Sequence, residues 1–195
     1  NFNLKMDKGF YCRESVWARL EENHKEVDLA ELYVPEVLTK KIIRKINTQK
    51  KIISITLRES SFRTERNSII KEWESFVEYL ERKGYYVIVL RDTETIYRDN
   101  LFEKNIIFPH ASYDLYLRSA IYKISYANYF VNSGPSIICW VNNYKSIFFK
   151  AWGIKENREA NEDNLGIEKN EQSKVLDNNM HFLVGDIDEN LNLIK

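Results

Sequence analysis

The order of apolar and polar positions becomes regular at residue 51. Ile52-Ile53-Ser54-Ile55-Thr56-Leu57 is a β-branched run of the kind that forms a strand covered on both faces. A polar stretch over 58–67 follows it. Ile69, Ile70, Trp73, Phe76, Val77 and Leu80 then recur at helical spacing, with Glu and Lys between them. Asn67 or Ser68 is placed to cap the start of that helix and Gly84 to stop its end. Tyr86-Val87-Ile88-Val89-Leu90 is a second apolar strand. Strand, amphipathic helix and strand in close succession make a βαβ unit, so the two strands are expected to run parallel.

The alternation continues to the end of the chain. Asn105-Ile106-Ile107-Phe108 reads as a short third strand ending at Pro109, and Tyr113, Tyr116, Leu117, Ala120, Ile121 and Ile124 as the next helical face. Tyr129-Phe130-Val131 reads as a strand, 135–141 as a short helix and Ser146-Ile147-Phe148-Phe149 as a further strand. A polar, Asn- and Glu-rich stretch over 153–179 reads as a long surface loop, 181–184 as a last edge strand and 188–194 as a closing helix. Residues 1–50 lack a strand pattern; a short helix is expected at 15–20 and another opened by Pro35, with Leu38, Ile42 and Ile46 on one face. The expected architecture is an α/β, Rossmann-like domain over 51–195. Its parallel sheet carries helices on both faces, behind a helical amino-terminal arm or interdomain linker over 1–50. Strand 52–57 should be central, flanked by 86–90 and 129–131, because the first strand of a doubly wound unit sits where the connections reverse direction.

Composition narrows this picture. Hydrophobic residues are 44% of the 195, enough for a core, and exclude a disordered or fibrous chain. Lys plus Arg and Asp plus Glu both number 29, so no bulk field draws the chain to nucleic acid. Cys12 and Cys139, and His24, His110 and His181, are scattered, which leaves neither a zinc pattern nor a disulfide framework and points to a reducing, cytoplasmic setting. No apolar run approaches the length of a membrane span. The opening Asn1-Phe2-Asn3-Leu4-Lys5 carries no initiator Met and no signal-peptide pattern, and reads as the start of a fragment.

Ligands of an open parallel sheet bind beyond the carboxyl ends of its strands, and two such ends are polar here. After strand 52–57 come Arg58, Arg63 and Arg66, three guanidinium groups able to fork onto phosphate oxygens, or to pair with Glu59 and Glu65 in a solvated loop. After 129–131 comes Asn132-Ser133-Gly134-Pro135-Ser136. With Ser133 or Gly134 as N-cap, Pro135 takes the first helical position and the N–H groups of Ser136 and Ile137 point off the helix start toward an anion. An ordinary capped turn is the alternative. Cys139, in the apolar run behind this turn, reads as a small core residue. His110, past Pro109, could line the same cleft, and Asp92 and Glu94 could meet ribose hydroxyls. Neither the dinucleotide Gly-x-Gly-x-x-Gly, nor the P-loop, nor a Gly-x-Ser-x-Gly elbow is present.

The order strand, arginine loop, helix, strand, then strand, Ser-Gly-Pro, helix, strand resembles the carboxyl-terminal nucleotide-sugar half of a GT-B glycosyltransferase. Asn132-Ser133-Gly134-Pro135 is similar to the Asp-Ser-Gly-Pro turn of heptosyltransferase-type enzymes, which holds donor phosphates at a helix start. Thr56-Leu57-Arg58 resembles the fucosyltransferase pattern in which a strand-end Arg grips the donor's β-phosphate. An Asp stands in the place of Asn132 in the first family, and the second carries a His near the place of Thr56. The resemblance spans about residues 50–195. It implies a nucleotide diphosphate sugar as donor, a glycan or glycolipid as acceptor, and stabilisation of the leaving diphosphate by helix N–H groups and arginines, without a metal or other cofactor. It also implies an acceptor pocket and catalytic base on another domain, and a cytoplasmic setting with peripheral association at the inner face of the membrane left open. A non-catalytic α/β module that binds a nucleotide or another phosphate ligand is the competing reading, and a structural domain without a ligand the third.

Overall fold

The computed structural model describes residues 32–62, 64–131, 133–152 and 180–184. Five strands run parallel in one sheet: β1 (Ile52–Thr56), β2 (Tyr86–Leu90), β3 (Ala127–Val131), β4 (Ser146–Trp152) and β5 (Met180–Val184), in the order β2-β1-β3-β4-β5. β1 is paired with β2 on one side (Ile52 opposite Tyr86) and with β3 on the other (Ile53 opposite Ala127), the expected neighbours, although β3 rather than β1 is the middle strand of the five. The connections reverse direction between β1 and β3, so a crevice is expected beyond the carboxyl ends of those two strands. The fold is α/β and Rossmann-like.

Four α-helices lie on the two faces of the described sheet: α1 (Glu36–Ile46), α2 (Ile70–Arg82), α3 (Leu115–Ile124) and α4 (Ile137–Val141). α2 packs Trp73, Phe76, Val77 and Leu80 against Ile53, Ile55, Val87 and Val89, the alternate residues of β1 and β2 on one face. The opposite face receives Ile42 and Ile46 of α1, Ala120, Ile121 and Tyr122 of α3, and Ile138, Cys139 and Trp140 of α4. The helix opened by Pro35 therefore shares a core cluster with the sheet helices. Among the described residues no helix is long and apolar enough to cross a membrane.

The polar residues inside this sheet are tied to one another. Ser54 of β1 donates its hydroxyl to the Asn128 side-chain oxygen on β3 at 2.6 Å, and the Asn128 amide donates to the carbonyls of Tyr122 at 3.3 Å and Lys145 at 3.0 Å. Thr56 and Tyr122 share a hydroxyl–phenol hydrogen bond of 2.8 Å between β1 and α3.

Three local expectations are corrected. Residues 105–108 form no strand: Glu103–Asn105 is a 3₁₀ turn, and the Asn105 amide donates to the Val87 carbonyl of β2 at 3.1 Å and to Glu81 at 2.9 Å. Ile106 packs with the α2 face and Phe108 with the α3 face, so this segment crosses over the outer edge of β2 and covers it rather than extending the sheet. α2 takes Ile69 as its N-cap without a side-chain bond, because Asn67 and Ser68 turn toward Arg58. Tyr113 and Tyr116 are exposed, whereas Arg118, Ser119 and Tyr122 are buried, so α3 is rotated from the face its apolar spacing predicts. Gly84 does end α2: its φ of 89° is in the left-handed region, and the Tyr85 N–H returns to the Leu80 carbonyl at 3.1 Å. The helices expected at 15–20 and 188–194 and the loop at 153–179 lie outside the described residues.

Candidate functional site

A parallel sheet brings the segments after β1, β2 and β3 to one edge. After β1, Arg58 is buried, and its guanidinium donates to the Asn67 side chain and, at 2.7 Å, to the Phe62 carbonyl. Its N–H donates to Ser68 Oγ at 3.0 Å, and the Ser60 N–H to Asn67 at 3.1 Å. Arg58 thus closes the loop it begins. Arg66 stands farther along in the 3₁₀ turn Thr64–Arg66, and Arg63 lies outside the described residues.

After β2, the first residue is Arg91, which is 1% exposed. Its Nε and Nη2 donate to the two carboxylate oxygens of Glu59 at 2.8 and 2.6 Å, and its Nη1 donates to Asp99 at 2.6 Å. The Thr95 hydroxyl adds a bond to Glu59 at 2.8 Å. These hydrogen bonds hold Arg91 firmly in its charged form and the Asp99 carboxyl below its ordinary pKa. Glu59 therefore pairs with an arginine that follows the neighbouring strand. A cavity of about 310 Å³ opens between the two loops, walled in part by Glu59, Asn67, Arg91 and Asp99. Asp92, next along, accepts the Glu59 N–H at 2.5 Å, and burial raises its carboxyl pKa. Glu94 is exposed.

The turn Pro109–Ser112 and α3 complete this side. Arg118 of α3 is 2% exposed, and its guanidinium donates to the carbonyl oxygens of Ala111 at 2.6 Å and Arg91 at 3.4 Å. Its Nη1 is buried and, among the described residues, has no hydrogen-bond partner. No carboxylate of the described residues forms an ion pair with it, although its charge reaches Asp92 and its guanidinium interacts with the Tyr122 phenol. Outside this buried cation, His110 is exposed with its ring edge-on to Tyr113 at 5.7 Å, and the Tyr113 hydroxyl meets that of Tyr97 at 2.9 Å.

After β3, Ser133 is extended and leads into the 3₁₀ turn Gly134–Ser136, with Pro135 in its first turn, before α4. The amides expected to face an anion are engaged inside the turn: the Ser136 N–H donates to the Ser133 carbonyl at 3.1 Å, and the Ile137 N–H returns to the turn's carbonyls. The Ser136 hydroxyl also donates to Ser133 O, at 2.6 Å. Ser133 Oγ, in contrast, is buried and without a hydrogen-bond partner among the described residues, while Gly134 is exposed. Cys139 is fully buried and its thiol pKa is pushed well up, as a core residue's would be.

Arg58, Ser133, Gly134, Pro135 and Ser136 thus share the carboxyl edge, with His110 on its rim. Arg91 and Arg118 belong there too and were missed. The signal for Arg118 was a charge set among apolar residues, Leu117, Ala120 and Ile121, on a helix whose neighbours are buried.

Neither a protein-family model nor a curated protein sequence matches this chain. Among solved structures, a glycosyl transferase family 9 protein from Veillonella parvula DSM 2008 is similar, with a TM-score of 0.54 at 10% sequence identity. The likeness covers 84% of this chain and 44% of that one, so the chain spans less than half of that protein's length. The shared feature is the fold.

Proposed function

We propose that this chain is the nucleotide-sugar-binding part of a GT-B glycosyltransferase that moves a sugar from a nucleotide diphosphate donor to a glycan or glycolipid acceptor without a metal ion. The observation that carries this reading is the pair of buried, unpartnered polar atoms at the carboxyl edge, Arg118 Nη1 and Ser133 Oγ. An unmade hydrogen bond in a buried site has a cost that a bound oxyanion removes. The fold shared with a glycosyltransferase supports the same direction.

In this reading the donor's diphosphate lies in the crevice beyond β1 and β3. Arg118 supplies a guanidinium positioned by two carbonyls, and Ser133 supplies a hydroxyl positioned by the turn. Charge grows on the diphosphate as the glycosidic bond breaks, and a preorganised cation and hydroxyl stabilise that state more than the ground state. Arg58 shapes the crevice wall through Asn67, and Gly134 lets the donor approach the backbone. The acceptor site and catalytic base lie on another domain, and the protein works in the cytoplasm.

A thermal-shift panel of GDP, UDP, ADP and CMP tests the donor site, because a ligand that binds the native state raises the melting temperature. One nucleoside diphosphate should do so in the parent and fail to do so in Arg118→Met. Silence from all four would end the donor-site reading. Binding without transfer, in the full-length protein given the matching sugar nucleotide, would reassign the chain as a phosphate-binding module.

A further inference from the structure

The amino-terminal edge of the sheet, opposite the candidate donor site, carries a second cluster. Lys51 precedes β1, Tyr85 precedes β2, Tyr126 precedes β3 and Lys145 precedes β4, so parallel pairing gathers all four at one end. Their backbones are fixed by the sheet. The Lys51 carbonyl accepts the Tyr86 N–H at 2.9 Å, the Tyr126 N–H donates to Ile52 at 2.7 Å, and the Lys145 carbonyl accepts the Asn128 N–H at 2.9 Å.

The side chains converge. Lys51 Nζ lies 4.1 Å and Lys145 Nζ 4.7 Å from the centre of the Tyr126 ring, and Tyr85 lies nearly parallel to that ring at 6.5 Å. Lys83 Nζ is 5.4 Å from the ring centre of Tyr79. A cavity of about 210 Å³ opens between Tyr79, Lys83, Tyr85, Tyr126 and Tyr129, and no carboxylate lines it. Tyr129 is 8% exposed, and it lines this cavity. Burial and the neighbouring phenols raise its pKa to about 12, so it stays an O–H donor at neutral pH. None of the three ammonium groups forms an ion pair among the described residues. Two cations held at one ring repel each other, and the ring's negative face offsets this only in part.

We infer that this amino-edge pocket binds a phosphate group, with Lys51, Lys83 and Lys145 meeting its charge and the phenols of Tyr126 and Tyr129 donating to its oxygens. Lys83 and the phenols line the cavity, and Lys51 and Lys145 stand beside it at the Tyr126 ring; these donors match a dianion with three terminal oxygens better than they match a carboxylate. The phosphate belongs either to a small phosphomonoester or to a lipid headgroup. Both present the same oxygens. The site is separate from the proposed donor crevice and stands whether or not that reading holds.

Calorimetric titration with inorganic phosphate and glucose 1-phosphate, with glucose as control, tests the free-phosphate source. Co-sedimentation with phosphatidylglycerol against phosphatidylcholine vesicles tests the headgroup. The charge-assisted bonds should make the affinity of Lys51→Gln/Lys145→Gln about tenfold weaker. Arg118→Met, at the other edge, should leave it unchanged. The lysines are exposed, so the double variant is expected to fold normally; Tyr129→Phe, which keeps its ring, is the second probe and should weaken binding several-fold. Binding to neither phosphate probe nor phosphatidylglycerol, or binding equal in the parent and both variants, would overturn the inference.

Discussion

Arg91 and Glu59 stand one residue beyond β2 and three beyond β1, and their guanidinium and carboxylate meet through two hydrogen bonds of 2.8 and 2.6 Å. This bidentate pair couples the loops that follow two adjacent strands. Because Arg91 is almost wholly buried, removing its main partner leaves a charge inside the protein. Glu59→Ala is expected to lower the free energy of unfolding by about 3 kcal/mol, read from urea denaturation. Asp99→Ala should cost less, since that carboxylate is more exposed. Equal stabilities of parent and Glu59→Ala would remove the pair from any role in holding the loops.

Asp92 gives a pH signature of the opposite sign to Asp99. Burial raises its pKa, so the folded protein holds that proton more tightly than the unfolded chain does. The contribution is favourable at low pH and is lost as pH rises through the raised folded pKa. Asp92→Asn should therefore gain stability relative to the parent as pH rises from about 4 to about 7. Thermal unfolding of both proteins across that range measures the difference; a gap that does not widen with pH contradicts the sign.

Thr56 and Tyr122 offer a double-mutant cycle, which separates their bond from the phenol's contact with Arg118. Tyr122 is fully buried and its phenol pKa is pushed up to about 12, so the hydroxyl is neutral and its bond to Thr56 is an ordinary one. Tyr122→Phe should cost about 1 kcal/mol, and adding Thr56→Val should cost less than the sum of the two single changes. Strict additivity in urea denaturation would show that the two hydroxyls do not couple.

Cys139 should be chemically silent in the native protein. Its thiol is fully buried with a raised pKa, and the thiolate is the reactive form. Iodoacetamide at pH 8 should leave the peptide containing Cys139 unmodified until denaturant is added, as followed by mass spectrometry. Rapid native labelling would place this helix much nearer solvent.

Much of the sheet was legible because a doubly covered strand has a strong signal: β-branched and aromatic runs at 52–57, 86–90 and 129–131 have few other ways to bury themselves. The segment 105–108 has the same composition but a different task. Its apolar residues divide between the two faces of the sheet, and Asn105 caps the β2 edge, a distinction visible only once the neighbours are in place. Within the candidate site, the turn at 133–136 was found through Ser-Gly-Pro chemistry, but the direction of its amides was not. The 3₁₀ geometry folds the Ser136 N–H back onto Ser133. The three loop arginines drew attention by their spacing, whereas Arg91 and Arg118 have no local signal beyond a charge among apolar neighbours. Their roles come from Glu59 and Ala111, 32 and 7 residues away.

Asn128 gives the sheet a means of rejecting wrong alignments. Its side chain is complete only when Ser54 is opposite it, the end of α3 presents the Tyr122 carbonyl, and the residue before β4 presents Lys145. A slip of one position would turn the amide toward the aromatic face formed by Phe76, Tyr129 and Phe149, where those partners are absent. The β1–β3 register, the end of α3 and the approach to β4 are thereby tied through one side chain, so that each native contact supports the other two.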